Sequence, residues 1–402
     1  MPKEQNNLSI EEFFDKLLND AANEGVSDIH IEPIFGSARI RFRIDGKLQE
    51  VVKLQLQDFE TIVNKIKVLA NLDLTARPMP QDGQFELVQF VPNKSEGEDA
   101  SKSKTKRNVD VRVSVFPTSH GDAVVMRLLN SQNMLMHIND FEMSELARTK
   151  LKNLIGRNYG MLLVTGPAGS GKTSMIYSIL QELKSDEKNI ITLEDPVEYV
   201  FDSIRQASMR PEQGLTFAVG MKSILRQDPD VIMIGEIRDG ETAEHAIRAA
   251  LLGRLVLSSV HSNSSVGIIA RFIDMGIDRS LIAYSINGSV AKRLIRKNCT
   301  ACKTEYTPED SYLEFFGLKG GNYTFYKGAG CSECHGTGFK GRIGVFEVME
   351  LDEKFRTLII ERAPMTLLQE HFNSNGTETL KQDAVSKAIA GLTTLEEVMS
   401  VI

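Results

Sequence analysis

The run Gly166-Pro167-Ala168-Gly169-Ser170-Gly171-Lys172-Thr173 has the spacing G-x-x-x-x-G-K-[ST]. In such a run the glycines let backbone N–H groups converge on phosphate oxygens, and the helix that follows favours the anion at its N-terminus. Lys172 would neutralise the charge between β- and γ-phosphates, and the Thr173 hydroxyl suits Mg²⁺. The chemistry is nucleotide binding. Phosphoryl transfer to water also needs an acidic group beside the metal and the attacking water. Glu236 closes the apolar run from Asp230 and falls at a strand's C-terminal edge, where ligands sit in open α/β sheets. Glu194, just past Ile191–Leu193, is the second acid. Each acid taken singly could equally be a helix cap or a loop residue. His261 follows the apolar run Leu255–Val260 and should reach the same edge, where it could sense or position a γ-phosphate.

The second constellation is Cys299-x-x-Cys302 with Cys331-x-x-Cys334. Two paired knuckles supply four thiolates for a closed tetrahedral Zn²⁺ site. In a reducing compartment this reading is preferred to disulfides, and a redox Cys-x-x-Cys would need only one pair. His335, next to Cys334, is an alternative ligand.

The elements that must position these groups follow from patterning. Residues 9–22 read as a helix opened by a Ser9/Glu12 capping box. Period two from Asp28 to Val52 places Ile40, Phe42 and Ile44 opposite Arg39, Arg41 and Arg43, with a hairpin turn at Asp45-Gly46. Helical spacing returns at Ile62, Ile66, Leu69 and Ala70, and strands are expected at Gly83–Val91 and Val109–Val115. The charged stretch Pro92–Asn108 between them reads as a solvated loop. Beyond Phe141, near-continuous apolar runs at Met161–Thr165, Ile190–Leu193, Val231–Ile234 and Leu255–Val260 fit strands buried on both faces of a parallel sheet. From Ile343 the tail reads as helical, with Leu358, Ile359, Leu367, Leu368, Leu380 and Leu395 as core positions.

The chain has 402 residues, enough for two or three domains. Its net charge of −7 is the wrong sign for coating nucleic acid or an anionic membrane through bulk charge. No apolar run approaches the roughly 18 residues that span a bilayer, and the N-terminus lacks a signal-peptide pattern. These features point to a soluble, intracellular protein.

Gly166–Thr173, Ile191–Tyr199, Leu225–Asp239 and Gly253–Ser264 resemble, in order, the Walker A, Asp-box, Walker B and His-box motifs of the type II secretion and type IV pilus assembly ATPases. Ser27–Pro33 and Arg41–Gly46 resemble that family's second N-terminal domain, and Ala291-Lys292-Arg293-Leu294 its segment before the cysteines. The resemblance implies an α/β chain: an N-terminal α+β domain (1–140), a RecA-like P-loop ATPase core (141–298), a zinc insertion (299–341) and a helical C-terminal subdomain (342–402), without the family's first N-terminal domain. It implies ATP, Mg²⁺ and Zn²⁺ as cofactors. It also implies a homo-hexameric motor at the inner face of the cytoplasmic membrane, which it reaches through an inner-membrane platform protein. In such rings arginines of the N-terminal domain reach nucleotide, and the matching positions are Arg112 and Arg127. Their bland alternative is a solvated sheet face, the reading preferred for Arg39, Arg41 and Arg43.

The tetracysteine insert belongs to assembly motors more than to retraction motors. Two positions depart from the family pattern: Arg254 follows Gly253 where the His box usually begins Thr-Gly-His, which leaves His261 as its histidine, and Lys222 stands where an arginine is usual. Alternative functions are a motor for DNA uptake or transfer, and a non-hydrolysing zinc scaffold that holds nucleotide. The absence of a basic, aromatic-laced groove argues against direct nucleic-acid binding.

Overall fold

Ser9 caps the first helix, α1 (Ile10–Asn23), reciprocally with Glu12: the Ser9 hydroxyl accepts from the Glu12 N–H at 3.2 Å and the Glu12 carboxylate from the Ser9 N–H at 2.9 Å. The structure, a computed structural model, describes residues 8–75, 79–92, 104–129 and 135–402. It divides into two units, Met1–Asn133 and Met134–Ile402.

In the first unit, α1 is followed by β1 (Asp28–Ile34), β2 (Ser37–Ile44), β3 (Lys47–Leu54), α2 (Leu56–Leu69), β4 (Gln81–Pro92), β5 (Lys104–Thr118) and β6 (Gly121–Leu129). The strands form one antiparallel sheet in the order β3-β2-β1-β6-β5-β4. Phe14, Leu17 and Leu18 of α1 and Phe59, Ile62 and Ile66 of α2 pack with Ile29, Ile31, Ile40, Val111 and Val113 of the sheet. The Asp45-Gly46 turn is present, with φ of 48° and 85°.

Three sequence expectations change here. The arginines of β2 are not simply solvated: Glu32 accepts from Arg39 at 2.9 Å and from Arg41 at 2.5 Å, and Arg43 lies 3.6 Å from Asp28. Leu69 is exposed. Lys104–Asn108 belong to β5, in register with Val88–Pro92, because ladder hydrogen bonds satisfy the backbone whatever charge the side chains carry. The remainder of the expected loop, residues 93–103, lies outside the described residues.

The second unit begins its regular structure with α3 (Glu145–Ile155), β7 (Gly160–Thr165), α4 (Lys172–Leu183), β8 (Ile190–Glu194) and β9 (Arg205–Ser208). It continues with α5 (Phe217–Ile224), β10 (Val231–Glu236), α6 (Gly240–Leu251), β11 (Leu255–Val260), α7 (Gly267–Asp274), α8 (Arg279–Ser285) and β12 (Ile286–Asn298). Then come β13 (Lys303–Tyr306), α9 (Asp310–Phe316), β14 (Phe325–Gly328), β15 (Phe339–Glu350), α10 (Glu353–Ile360), α11 (Met365–Ser374), α12 (Leu380–Ile389) and α13 (Leu395–Met399).

The main sheet has the order β15-β12-β7-β11-β10-β8-β9, parallel throughout except where β15 pairs antiparallel with β12. Every residue of β7, β8 and β11 is buried, as expected for strands covered on both faces. The four apolar runs read from sequence are the four central strands β7, β8, β10 and β11.

Three strands of this sheet went unread: β9 at one edge, and β12 and β15 at the other. Charged residues interrupt β12, and β15 occupies the start of the expected helical tail. Helices begin only at Glu353, because Phe339–Glu350 completes its backbone pairing along β12. In the tail Ile359, Leu368, Leu380 and Leu395 are buried and Leu358 is partly so, whereas Leu367 is exposed. Among the described residues, no helix is long and apolar enough to cross a membrane.

Candidate functional site

Residues 166–171 connect β7 to α4 at the C-terminal edge of the parallel strands. Gly171 is the N-cap of α4 at φ 80°, and a Cβ there would stand 2.9 Å from Nζ of Lys292. A Cβ on Gly166 would stand 2.4 Å from the Lys292 carbonyl oxygen. The loop therefore follows its path only with glycine at these two places. Lys172 curls back over it, donating to the carbonyls of Gly166 at 2.8 Å and Pro167 at 3.1 Å. Burial lowers its pKa, with the field of Glu236 opposing and that of Arg293 adding to the effect. Among the described residues the buried Ser170 hydroxyl has no hydrogen-bond partner, so the loop presents an unmet polar group as well as its exposed Thr173. These features fit a bound polyphosphate.

Neighbouring strand ends bring the acid and the histidine together. A register shift between Ile234 and Glu236 re-aims the end of β10, setting Glu236 opposite Ser259 of β11. Nε2 of His261 lies 2.7 Å from one carboxylate oxygen of Glu236, and Arg238 donates to the other at 2.8 Å. Hydrogen bonding to Glu236 is the main cause of the raised Arg238 pKa, and the field of Asp195 adds to it. Thr165, at the end of β7, holds the segment after His261: its hydroxyl donates to the Ser262 carbonyl and accepts from the Ser262 N–H, both at 2.8 Å.

Glu194 sits differently from Glu236. It is 3% exposed and accepts from Thr192 at 2.6 Å, from Gln206 at 3.0 Å and from the Tyr177 hydroxyl. Tyr177, on the helix that follows the phosphate loop, also accepts from the Glu198 N–H at 3.0 Å. Burial first, and then the Glu194 carboxylate, raises the Tyr177 pKa. The network ties α4 to the end of β8 and occupies both oxygens of Glu194. The exposed acid at this strand end is Asp195.

Arg112 and Arg127 lie in the first unit, directly opposite one another on β5 and β6. Arg127 donates to the buried Asp28 at 2.9 Å. Arg254 immediately precedes β11, at the far end of that strand from His261, and reaches Asp228 at 3.4 Å. Lys222 on α5 pairs with Glu241 of α6 at 3.2 Å. Sequence reasoning overlooked Arg238, Tyr177 and Lys292. Arg238 was findable as the cation just past Glu236, but the burial of Lys292 carries no local signal.

The sulfur atoms of Cys299, Cys302, Cys331 and Cys334 all lie within 4.8 Å of one another. Cys299–Cys331 and Cys302–Cys334 are 3.8 Å apart and Cys331–Cys334 3.7 Å. A tetrahedron with Zn–S bonds of about 2.3 Å has edges of about 3.8 Å, whereas a disulfide is about 2.05 Å long. Donor type and spacing fit Zn²⁺. Burial works against ionisation of Cys334, but N–H groups of Cys331 and Gly338, each 3.2 Å from its sulfur, prevail and bring its pKa to about 6. His335 is not part of the converging set.

The profile of the family described as type II/IV secretion system protein matches residues 3–400. Type II secretion system protein E of Dickeya dadantii is 40% identical over 385 residues, covering 96% of this chain and 74% of that protein. Type II secretion system ATPase E of Vibrio cholerae is 39% identical, covering 99% of this chain and 76% of its own length. Type IV pilus assembly ATPase PilB of Myxococcus xanthus is also 39% identical, covering 99% and 69%. Among solved structures, the ADP-bound pilus retraction motor PilT has a TM-score of 0.62 at 25% identity, with 96% of each chain covered. The Legionella pneumophila ATPase DotB has a TM-score of 0.71 at 19% identity, a likeness of fold, with 100% of this chain and 98% of that one covered.

Proposed function

The chain belongs to the type II/IV secretion system protein family, and on that footing we propose that it is an ATPase that powers assembly of a type IV pilus or a type II secretion pseudopilus. The observation that carries the catalytic reading is the Glu236–His261 pair at the strand edge beside the phosphate loop.

In this reading the loop N–H groups from Gly166 to Thr173 bind the phosphates. Lys172 exchanges its contacts with the Gly166 and Pro167 carbonyls for phosphate oxygens. The Thr173 hydroxyl would hold Mg²⁺, which when bound would supply charge neutralisation at the phosphates. Glu236 orients a water for in-line attack and takes up its proton. The water oxygen bonds to the γ-phosphorus as the bond to the β-γ bridging oxygen breaks, giving ADP and phosphate. His261 and Arg238 hold the Glu236 carboxylate in place. Glu194 serves by fixing the end of β8 through Tyr177, leaving Asp195 as the solvent-facing acid.

Arg112 and Arg127 carry guanidinium groups suited to phosphate, and we assign them to nucleotide contact in an assembled homo-hexamer. Cys299, Cys302, Cys331 and Cys334 would hold Zn²⁺ as a structural closure of that insert. Coupling runs through an inner-membrane platform protein, which would bring this chain to the cytoplasmic face of the membrane.

Phosphate release by the purified chain tests the reading. Glu236→Gln is expected to bind ATP as the wild type does while turnover falls by about 10²-fold or more. Undiminished steady-state release by that variant would remove Glu236 from its role.

A further inference from the structure

Lys292 lies beneath the phosphate loop and meets both of its ends. It is 3% exposed, and ammonium groups reach such depth only when something compensates them. Its carbonyl oxygen abuts Gly166 and its Nζ abuts Gly171, close enough that a Cβ at either glycine would collide. Nζ donates to the Gly171 carbonyl at 3.2 Å. It also stands 4.6 Å from the Phe141 ring centroid and 5.6 Å from that of Phe346. Among the described residues no carboxylate lies within ion-pair distance of it. One carbonyl and two ring faces leave this cation short of negative charge. An apolar side chain of similar length would fill the space without desolvating an ammonium. The compensating charge can arrive from above, on the loop.

We propose that Lys292 is a positioning residue of the nucleotide site, a second lysine under the loop that holds the Gly166–Gly171 backbone and is stabilised in its charged form when a nucleoside diphosphate or triphosphate occupies the loop. The inference rests on the reading of residues 166–173 as that site.

Burial brings the Lys292 pKa down to about 8, and Arg342 on β15 acts in the same direction. The other charges around it are engaged elsewhere. Lys172 on α4 turns to the Gly166 and Pro167 carbonyls, and Arg293 on β12 donates to the Asn263 and Lys292 carbonyls. Glu347 on β15 accepts from Ser265 and from the Leu380 N–H. Lys387 on α12, 5.4 Å from the Phe346 ring centroid, pairs with Asp383, and Glu142 pairs with Lys297. Phosphate favours the ammonium form, so the pKa rises on binding. The affinity gained this way is fully present below about pH 8 and is lost as pH rises through the value in the complex.

Isothermal titration of the full chain with ADP, without divalent metal, at about pH 8.5 and in buffers of different ionisation enthalpy reads the proton balance. That pH lies above the range in which the ADP phosphate titrates. A one-unit rise in pKa corresponds to uptake of about half a proton per ADP, and to at most about a tenfold loss of affinity between neutral and alkaline pH. Lys292→Gln and Lys292→Met should bind ADP more weakly at neutral pH and take up measurably less proton than the wild type, any remainder coming from Lys172, whose pKa burial also lowers. Either variant suffices if the other does not fold. No uptake by the wild type, or the same uptake in a folded variant, overturns the proposal. Lys172→Ala separates the two readings. If it binds ADP as the wild type does, the loop is not the nucleotide site. If it loses ADP while Lys292→Gln keeps the wild-type proton balance, only the role of Lys292 falls.

Discussion

His261 and Glu236 face each other at 2.7 Å across the ends of β11 and β10, and Arg238 grips the carboxylate from its other side at 2.8 Å. A carboxylate held this way has little rotational freedom, which suits a group that must orient a water. His261→Ala is therefore expected to lower kcat by about tenfold or more with KM for ATP little changed, the signature of an interaction used mainly in the transition state. In a double-mutant cycle with Glu236→Gln the two losses should be strongly non-additive, because both act on one proton transfer. Additive losses in steady-state kinetics would separate the two residues.

Cys302→Ser removes one corner of the thiolate tetrahedron. Elemental analysis should show stoichiometric zinc in the wild type and its loss in the variant. A lower melting temperature should accompany it, since metal-binding free energy is also folding free energy. A zinc-free wild type with unchanged stability would count against the structural role.

Tyr177→Phe deletes a donor to the buried Glu194 carboxylate while preserving the ring. Leaving that oxygen short of a partner should cost about 1–3 kcal/mol, read as a shift in a denaturant midpoint. Turnover should fall less than in Glu236→Gln, because Tyr177 acts by holding the end of β8. An equal or larger loss of turnover would place the Tyr177–Glu194 network in the chemistry itself.

In the first unit, burial tends to raise the pKa of Glu32, but hydrogen bonds from Arg41 and Arg39 prevail and hold it below its ordinary 4.5. A depressed carboxylate contributes stability that is fully present above its unfolded value and is lost as pH falls through the folded one. Glu32→Gln should thus be less stable than the wild type at neutral pH. The gap should close on acidification below about 4.5, as urea melts across that range would show.

Much of the fold was legible because it depends on near neighbours along the chain. The Ser9/Glu12 box, the Asp45-Gly46 turn and the four apolar central strands report local conformational preference and burial on both faces. β12 and β15 were illegible for the opposite reason. Lys292, Arg293 and Arg296 break the apolar pattern of β12, and β15 exists as a strand by pairing with it. Glu194 and Glu236 look alike in sequence, each an acid closing an apolar run. Tyr177, Thr192 and Gln206 bury one of them, while a bulge turns the other toward His261.

By itself the sequence determined the spacing-bound chemistry: a glycine loop whose backbone can wrap phosphate, and paired thiols at knuckle spacing. Covalent connectivity holds those groups within a few residues of one another, so almost any fold that accommodates the segment brings them together. Only the tertiary structure decided which acid meets the histidine, which arginines are ion-paired and that a lysine lies buried under the loop. Those relationships join residues far apart in the chain. Strand register and packing set them, and one shifted residue at the end of β10 is enough to redirect a carboxylate.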